Sequence, residues 1–217
     1  MDGRDRFTEL RELMVEGQLA ARGIRNARVL AAMREIPRHL FVPEPYRSEA
    51  YADCPLPIGG GQTISQPFIV GFMTELLDPH PEDTVLEIGA GSGYQAAILS
   101  RLAKTVVSVE RLPDVAEMAR KNLAATGAGN VLVKVGDGTL GWREFAPYDG
   151  ILVTAAGPAV PPALLDQLAE GGRLVAPVGD REVQDLVRMT RAGGRIREER
   201  YGGVRFVPLI GKQGWGG

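Results

Sequence analysis

The sequence predicts an α/β protein built on a doubly wound, mostly parallel sheet, with helices ahead of it and an antiparallel hairpin behind it. Three observations carry this. Between residues 84 and 178, short apolar runs without polar alternation recur, as in strands covered on both faces. Helical segments separate these runs, and right-handed crossovers then wind the sheet doubly. Glycine makes up 28 of 217 residues, about 13% against a background of about 7%. It gathers at the turns between the runs, as turn chemistry requires.

The elements follow in order. Residues 5–22 read as a helix with Phe7, Leu10, Leu13 and Met14 on one side and Gly23 as its stop. Asn26 caps a second helix through Val29, Leu30 and Met33 that ends before Pro37. Residues 37–63 are rich in Pro and Gly, yet Leu40, Phe41, Val42 and Ile58 mark them as ordered. Pro67 opens a third helix with Ile69, Phe72, Met73, Leu76 and Leu77 on its apolar face, and Pro79 and Pro81 end it. Strands are predicted at 84–88, 105–110, 131–135, 150–154 and 173–178, with helices at 94–102, 113–125 and 162–169. Residues 185–191 and 195–201, joined at Ala192-Gly193-Gly194, read as a hairpin, and 204–210 as a final strand.

The length fits one domain, 1–217. Residues 1–80 are expected to help form the active site, 81–180 to form the ligand-binding core, and 181–217 to add C-terminal strands. The chain carries 25 Lys+Arg against 27 Asp+Glu, a net charge of −2 that argues against a nucleic-acid grip. No apolar run approaches the roughly 18 residues of a membrane span. MDGRDRFTEL lacks the apolar stretch of a signal peptide. A single cysteine, Cys54, excludes an internal disulfide and a zinc cluster of several cysteines.

The run Val85-Leu86-Glu87-Ile88-Gly89-Ala90-Gly91-Ser92-Gly93-Tyr94 joins the first sheet strand to a helix through a glycine turn. Ligands of open parallel sheets sit beyond the C-terminal strand ends, and glycine lets the backbone approach them closely. The dinucleotide fingerprint needs a third glycine at position 94, where this chain has Tyr94. No phosphate-cradling lysine follows, which excludes a P-loop. Glu110 ends the second strand of the sheet, where a carboxylate can accept both hydroxyls of a ribose, and Asp137 of Gly136-Asp137-Gly138 can meet an adenine edge. A glycine turn followed by two strand-end acids is the pattern of S-adenosylmethionine enzymes. As isolated features, the glycine turn has a lesser reading as a mere tight turn, and Glu110 alone reads more often as a solvated strand end.

On these residues and others the chain resembles the protein-L-isoaspartate (D-aspartate) O-methyltransferase family, class I methyltransferases of Rossmann-like fold, over nearly its whole length. The resemblance rests on Ile36-Pro37-Arg38, Phe41-Val42-Pro43 and Pro55-Leu56-Pro57-Ile58-Gly59. It continues through Gly61-Gln62-Thr63-Ile64-Ser65-Gln66-Pro67, residues 85–97 (VLEIGAGSGYQAA), Val109-Glu110-Arg111 and Gly136-Asp137-Gly138. Val153-Thr154-Ala155, Pro177-Val178-Gly179 and Val204-Arg205-Phe206-Val207-Pro208-Leu209 complete it. GQTIS and RFVPL are its specific parts, since the general cofactor fold needs neither. Ala90 stands where the family often has Thr, and Gly71 where it often has Ala.

The resemblance implies a cytoplasmic, metal-free protein-repair enzyme, monomeric, with no nucleic-acid or membrane partner. Its donor would be S-adenosyl-L-methionine, leaving S-adenosyl-L-homocysteine. Its substrates would be isoaspartyl-containing proteins and peptides, methylated on the free α-carboxylate to an ester that collapses to a succinimide. It further implies Ser65 as the active-site residue. Gly89, Ala90, Gly91, Gly93, Glu110, Arg111, Asp137, Gly138, Thr63 and Ile64 are the expected cofactor residues. Ser65, Ile58, Thr154, Val207 and Pro208 are the expected substrate residues.

A carboxylate is ionised at neutral pH, so such a reaction needs no general base. It needs positioning, which is worth about 7–11 kcal/mol in well-oriented intramolecular reactions. A neutral hydroxyl such as that of Ser65 can orient one oxygen and leave the other free. Ser65 also reads as a helix cap before Gln66-Pro67. Val207 and Pro208 read either as an edge for an extended peptide or as closure of the sheet, and Thr154-Ala155 as substrate contact or strand end. Thr63 and Ile64 alone would read as loop packing, His39 and His80 as structural or surface residues, and Cys54 as an idle thiol. A methyltransferase acting on RNA or a small molecule, a nicotinamide oxidoreductase and a non-catalytic cofactor sensor are the competing readings. Thr154-Ala155-Ala156-Gly157-Pro158 lacks the stacking aromatic of a nucleic-acid amine methylase. A sensor has no use for residues 61–65.

Overall fold

The computed structural model describes residues 6–216. Helix α1 (Arg6–Met14) runs into a π-helical turn, Val15–Leu19, and a 3-10 turn, Ala20–Arg22, before Gly23 closes the segment at φ 102°. The single helix expected over 5–22 is therefore broken, and residue 5 lies outside the described residues. The π turn resets the buried face onto Met14, Val15 and Leu19, which leaves Leu13 67% exposed instead of packed as expected. Helix α2 (Ala27–Glu35) is capped by Asn26, whose side chain accepts from the N–H groups of Arg28 and Val29. Arg38–Phe41 and Glu44–Glu49 form 3-10 turns, with Phe41 and Val42 buried.

The Pro/Gly-rich segment folds into a short antiparallel hairpin of β1 (Leu56–Gly59) and β2 (Gln62–Ile64), which sequence periodicity could not show. Helix α3 (Pro67–Leu77) buries Val70, Gly71, Met73, Thr74, Leu76 and Leu77. Ile69 and Phe72 are only half-buried: Phe72 stacks on Phe68 with ring centroids 5.6 Å apart. A Cβ on Gly71 would lie 3.1 Å from Leu19 Cδ2, so the departure from alanine here makes room for that leucine.

The sheet strands are β3 (Thr84–Ile88), β4 (Thr105–Glu110), β5 (Val131–Val135), β6 (Tyr148–Val153), β7 (Leu168–Gly179), β8 (Gln184–Ala192) and β9 (Arg195–Val204). Helices α4 (Tyr94–Ser100), α5 (Pro113–Ala125) and α6 (Pro162–Asp166) lie between them. The strand order is β5-β4-β3-β6-β7-β8-β9, parallel from β5 to β7 and antiparallel at β7-β8-β9. Alternate residues feed two cores. Val85 joins the one under the N-terminal helices, and Leu86 and Ile88 join the one on the opposite face.

Two expectations shift. The helix expected over 162–169 stops at Asp166, because Leu168 already belongs to a β7 longer than expected. The run 204–210 is not a strand. Beyond Val204 it makes only isolated bridges, Ala156 to Pro208 and Ile210 to Trp215, because Pro208 has no N–H and the chain crosses the strand ends.

The chain leaves β3 for β4 and β5, then returns to place β6 on the other side of β3. That reversal opens a crevice beyond the C-terminal ends of β3 and β6, the ligand position of open α/β sheets.

Candidate active site

The crevice holds a cavity of about 320 Å³. Stretches far apart in the sequence wall it: 61–65 in and around β2, the inner face of α3, the start of α4, the loops after β3, β4, β5 and β6, and 207–210. The turn after β3 builds its floor. Gly89 and Gly91 adopt φ 97° and 53°, conformations natural to glycine. A Cβ on Gly89 would stand 2.4 Å from Thr154 Oγ1. That hydroxyl lies 2.7 Å from the Gly89 carbonyl and 2.9 Å from the Ile88 carbonyl, and the Thr154 N–H also donates to Ile88 O at 2.9 Å. Thr154, expected as a substrate contact, thus spends its polar groups on tying the end of β6 to the glycine turn, although it still faces the cavity.

Glu110 ends β4 with its carboxylate held on both sides. Oε2 accepts from Gly91 N–H at 3.1 Å and Oε1 from Leu112 N–H at 3.0 Å. Each oxygen keeps a second lone pair, so the fixed carboxylate suits a vicinal diol. Ala90, Arg111, Gly138, Thr63 and Ile64 also line the cavity. The cradle of glycines, the held carboxylate and the apolar wall of Met73, Val70 and Ile210 fit a nucleoside-bearing, phosphate-free cofactor such as S-adenosylmethionine.

Three expected site residues stand elsewhere. Gly93 is absent from the cavity wall; a Cβ there would meet Ala119 O and Leu123 Cγ, both at 3.2 Å, so it lets α4 pack on α5. Asp137 does not offer its carboxylate to the cavity. Oδ1 accepts from Thr139 N–H (2.9 Å) and Oγ1 (2.6 Å), and Oδ2 from Lys212 N–H (2.8 Å). Burial disfavours its charge, but these hydrogen bonds outweigh burial and hold the carboxyl below the usual aspartate range. Ile58 is buried beneath the turn, with Cδ1 3.5 Å from a Cβ built on Gly91. In each case a glycine pattern or motif match marked the neighbourhood, while packing decided the role.

Ser65 follows β2 and precedes α3. The helix N-cap is Gln66, with no side-chain cap bond, so the capping role open to Ser65 is not used. Among the described residues the Ser65 hydroxyl has no hydrogen-bond partner. It lies where the cavity meets a second groove, and Thr63, Ile69, Thr154 and Val207 share that junction. Pro208 lines the cavity alone. Residues not singled out from the sequence as site residues complete the walls: Leu112, Leu209 and Ile210 at the cavity, and Glu182, Val183 and Phe206 at the groove, of which Leu209 and Phe206 belong to the RFVPL motif.

Among the described residues no helix is long and apolar enough to cross a membrane, and no group of three or more His, Cys, Asp or Glu could hold a metal ion.

A Methanoregula boonei protein-L-isoaspartate O-methyltransferase is 67% identical over 205 residues, 94% of each chain. A solved protein-L-isoaspartate O-methyltransferase superposes with a TM-score of 0.85 at 32% identity, over 94% of this chain and 67% of that one. A Plasmodium falciparum chain solved in complex with S-adenosyl-L-homocysteine shares the fold at TM-score 0.82 and 24% identity, over 95% of this chain and 99% of that one. The family model described as protein-L-isoaspartate(D-aspartate) O-methyltransferase matches residues 9–214, and the chain belongs to that family.

Proposed function

We propose that this protein transfers a methyl group from S-adenosyl-L-methionine to the free α-carboxylate of L-isoaspartyl residues in damaged proteins and peptides, the first step of their repair. The observation that carries the reading is the hydroxyl of Ser65, without a partner among the described residues, at the junction of the cavity beyond the glycine turn with a second groove. S-adenosyl-L-methionine, when bound, supplies an electrophilic sulfonium methyl group and leaves as S-adenosyl-L-homocysteine.

The chain's own residues do the rest. Glu110 accepts the ribose hydroxyls, while Gly89, Ala90, Gly91 and Gly138 let the backbone approach the ligand. Thr63, Ile64 and Arg111 complete its enclosure. Ser65 donates a hydrogen bond to one carboxylate oxygen of the substrate and leaves the other free to attack. Val207 and Thr154 border the peptide's path. No proton need be removed, because the carboxylate is already ionised, and no metal is called upon. Residues 1–80 and 181–217 act as walls around the 81–180 core, within one domain. The same reading makes the protein a cytoplasmic monomer that acts on polypeptides rather than nucleic acid, in keeping with its near-balanced charge.

The decisive experiment incubates the protein and labelled donor with an isoaspartyl peptide or its normal aspartyl isomer. Base-labile methyl ester should form on the first alone. Equal labelling of both, or of neither, overturns the reading.

A further inference from the structure

The groove beside Ser65 is bordered on its far side by the turn between β7 and β8 and by the segment after β9. Both are held firmly. Asp180 Oδ1 accepts from the N–H groups of Glu182 at 2.8 Å and Val183 at 2.7 Å. Gln184 is 1% exposed and joins the two stretches: Nε2 donates to Asp180 O at 2.7 Å, and Oε1 accepts from Phe206 N–H at 2.9 Å. These bonds fix the backbone from which the border's side chains project.

Two charged side chains of this border, Glu182 and Arg205, line the groove. Among the described residues, neither the Glu182 carboxylate nor the Arg205 guanidinium makes a hydrogen bond or ion pair, and both are exposed. On the neighbouring strands β8 and β9 several charges are matched: Arg188 pairs with Glu199 at 2.6 Å and Arg200 with Asp185 at 3.0 Å. Between the unmatched pair in sequence, Val183 is 65% exposed and also lines the groove. An extended chain advances about 3.3 Å per residue, so a peptide that brings its isoaspartyl carboxylate to Ser65 lays its nearest neighbours along this border.

We propose that Glu182 and Arg205 are specificity-determining residues that read the charge of the side chains flanking the isoaspartyl site. The inference rests on the methyl-transfer reading above. Glu182 favours a lysine or arginine neighbour, and Arg205 favours an aspartate or glutamate neighbour. Exposed pairs are weak, so each preference amounts to about a two- to five-fold change in kcat/KM. It enters through KM, since a flank contact is made equally in the ground and transition states.

The test uses three isoaspartyl peptides that differ only in their flanking residues: alanine, lysine or glutamate. E182Q should lower kcat/KM for the lysine-flanked peptide relative to the alanine-flanked one by about three-fold. R205Q should do the same for the glutamate-flanked peptide. The charge reversals E182K and R205E should invert the preferences. All these differences should shrink at about 1 M salt, where the Debye length is about 3 Å. Wild-type ratios in the folded substitution and reversal variants overturn the inference while methylation of the alanine-flanked peptide leaves the methyl-transfer reading intact. No methylation of that peptide by the unaltered protein overturns the reading itself.

Discussion

Ser65 separates function from stability at a single position. Its hydroxyl has no partner among the described residues, and the helix behind it is entered through Gln66 without a side-chain cap. Removing the hydroxyl therefore costs the fold little, within about 0.5 kcal/mol, or a change of 1–2 °C in Tm for a domain of this size. Loss of orientation costs much more. Ser65→Ala is expected to lower turnover by about 10- to 100-fold with the melting curve nearly unchanged. A variant that turns over normally, or that loses activity only because it melts, defeats the orienting role. Glu87 is a residue of the opposite kind. It is fully buried in β3 beside Ser108, which donates to its Oε2, while Oε1 has no partner. Burial pushes its carboxyl up to about 8; the Ser108 hydrogen bond opposes this and the nearby Glu110 charge adds to it. The folded state thus holds a proton that the unfolded chain releases near 4.5. Its contribution to stability is complete below about pH 4.5 and is lost as pH rises to about 8, a change of order a few kcal/mol. Glu87→Gln cannot titrate, so melting from pH 5.5 to 8.5 should give a flatter pH profile than that of the unaltered protein. Parallel profiles would refute the buried proton.

At the scale of elements, the parallel core was legible because each strand and helix declares its own period. The bounds of β3, β4, α5 and β5 read from apolar runs and proline starts coincide with the structure. The N-terminal π turn, the β1-β2 hairpin and the C-terminal stretch were not legible. Their conformation comes from backbone bonds and distant partners instead of side-chain periodicity. The site shares this division. Gly89, Gly91 and Glu110 stand where a motif put them, whereas Asp137 has the right residue type and strand end but a different partner. That partner gives the C-terminal stretch its mechanical logic. Asp137 grips Lys212 N–H, Thr139 Oγ1 accepts from Gln213 N–H at 3.1 Å, and Trp215 Nε1 donates to Ala156 O at 2.9 Å. This strap sets Leu209 and Ile210 against the cavity. Asp137→Ala leaves its donors without acceptors and should cost about 1–3 kcal/mol. Hydrogen exchange should quicken over 209–215, and S-adenosyl-L-homocysteine should bind more weakly in calorimetry. Exchange left unchanged in that stretch would show that the strap does not depend on Asp137.

Across the whole molecule, the cavity is a meeting place. Its walls include residues 61–65, the loops at the ends of the parallel strands, and 207–210, three regions far apart in the sequence. A ligand that touches all of them couples their opening, since any one wall moving outward breaks contacts made by the others. At a hundred-fold excess over its Kd, S-adenosyl-L-homocysteine should stabilise the fold by about 2.7 kcal/mol, raising Tm by roughly 5–10 °C. Exchange protection distinguishes this coupling from simple loop binding. With the ligand bound, amides in all three walls should slow together, including Thr63 and Ile64 before α3 and Leu209 near the C-terminus. NAD at equal concentration should protect none of them, because Tyr94 stands where the dinucleotide fingerprint needs its third glycine. Protection confined to residues 89–93 would mean that the hairpin and the strap stand apart from the cofactor. Protection of all three walls would make the N-terminal and C-terminal additions part of one binding unit with the parallel core, which is why the chain keeps GQTIS and RFVPL around a turn that by itself only binds.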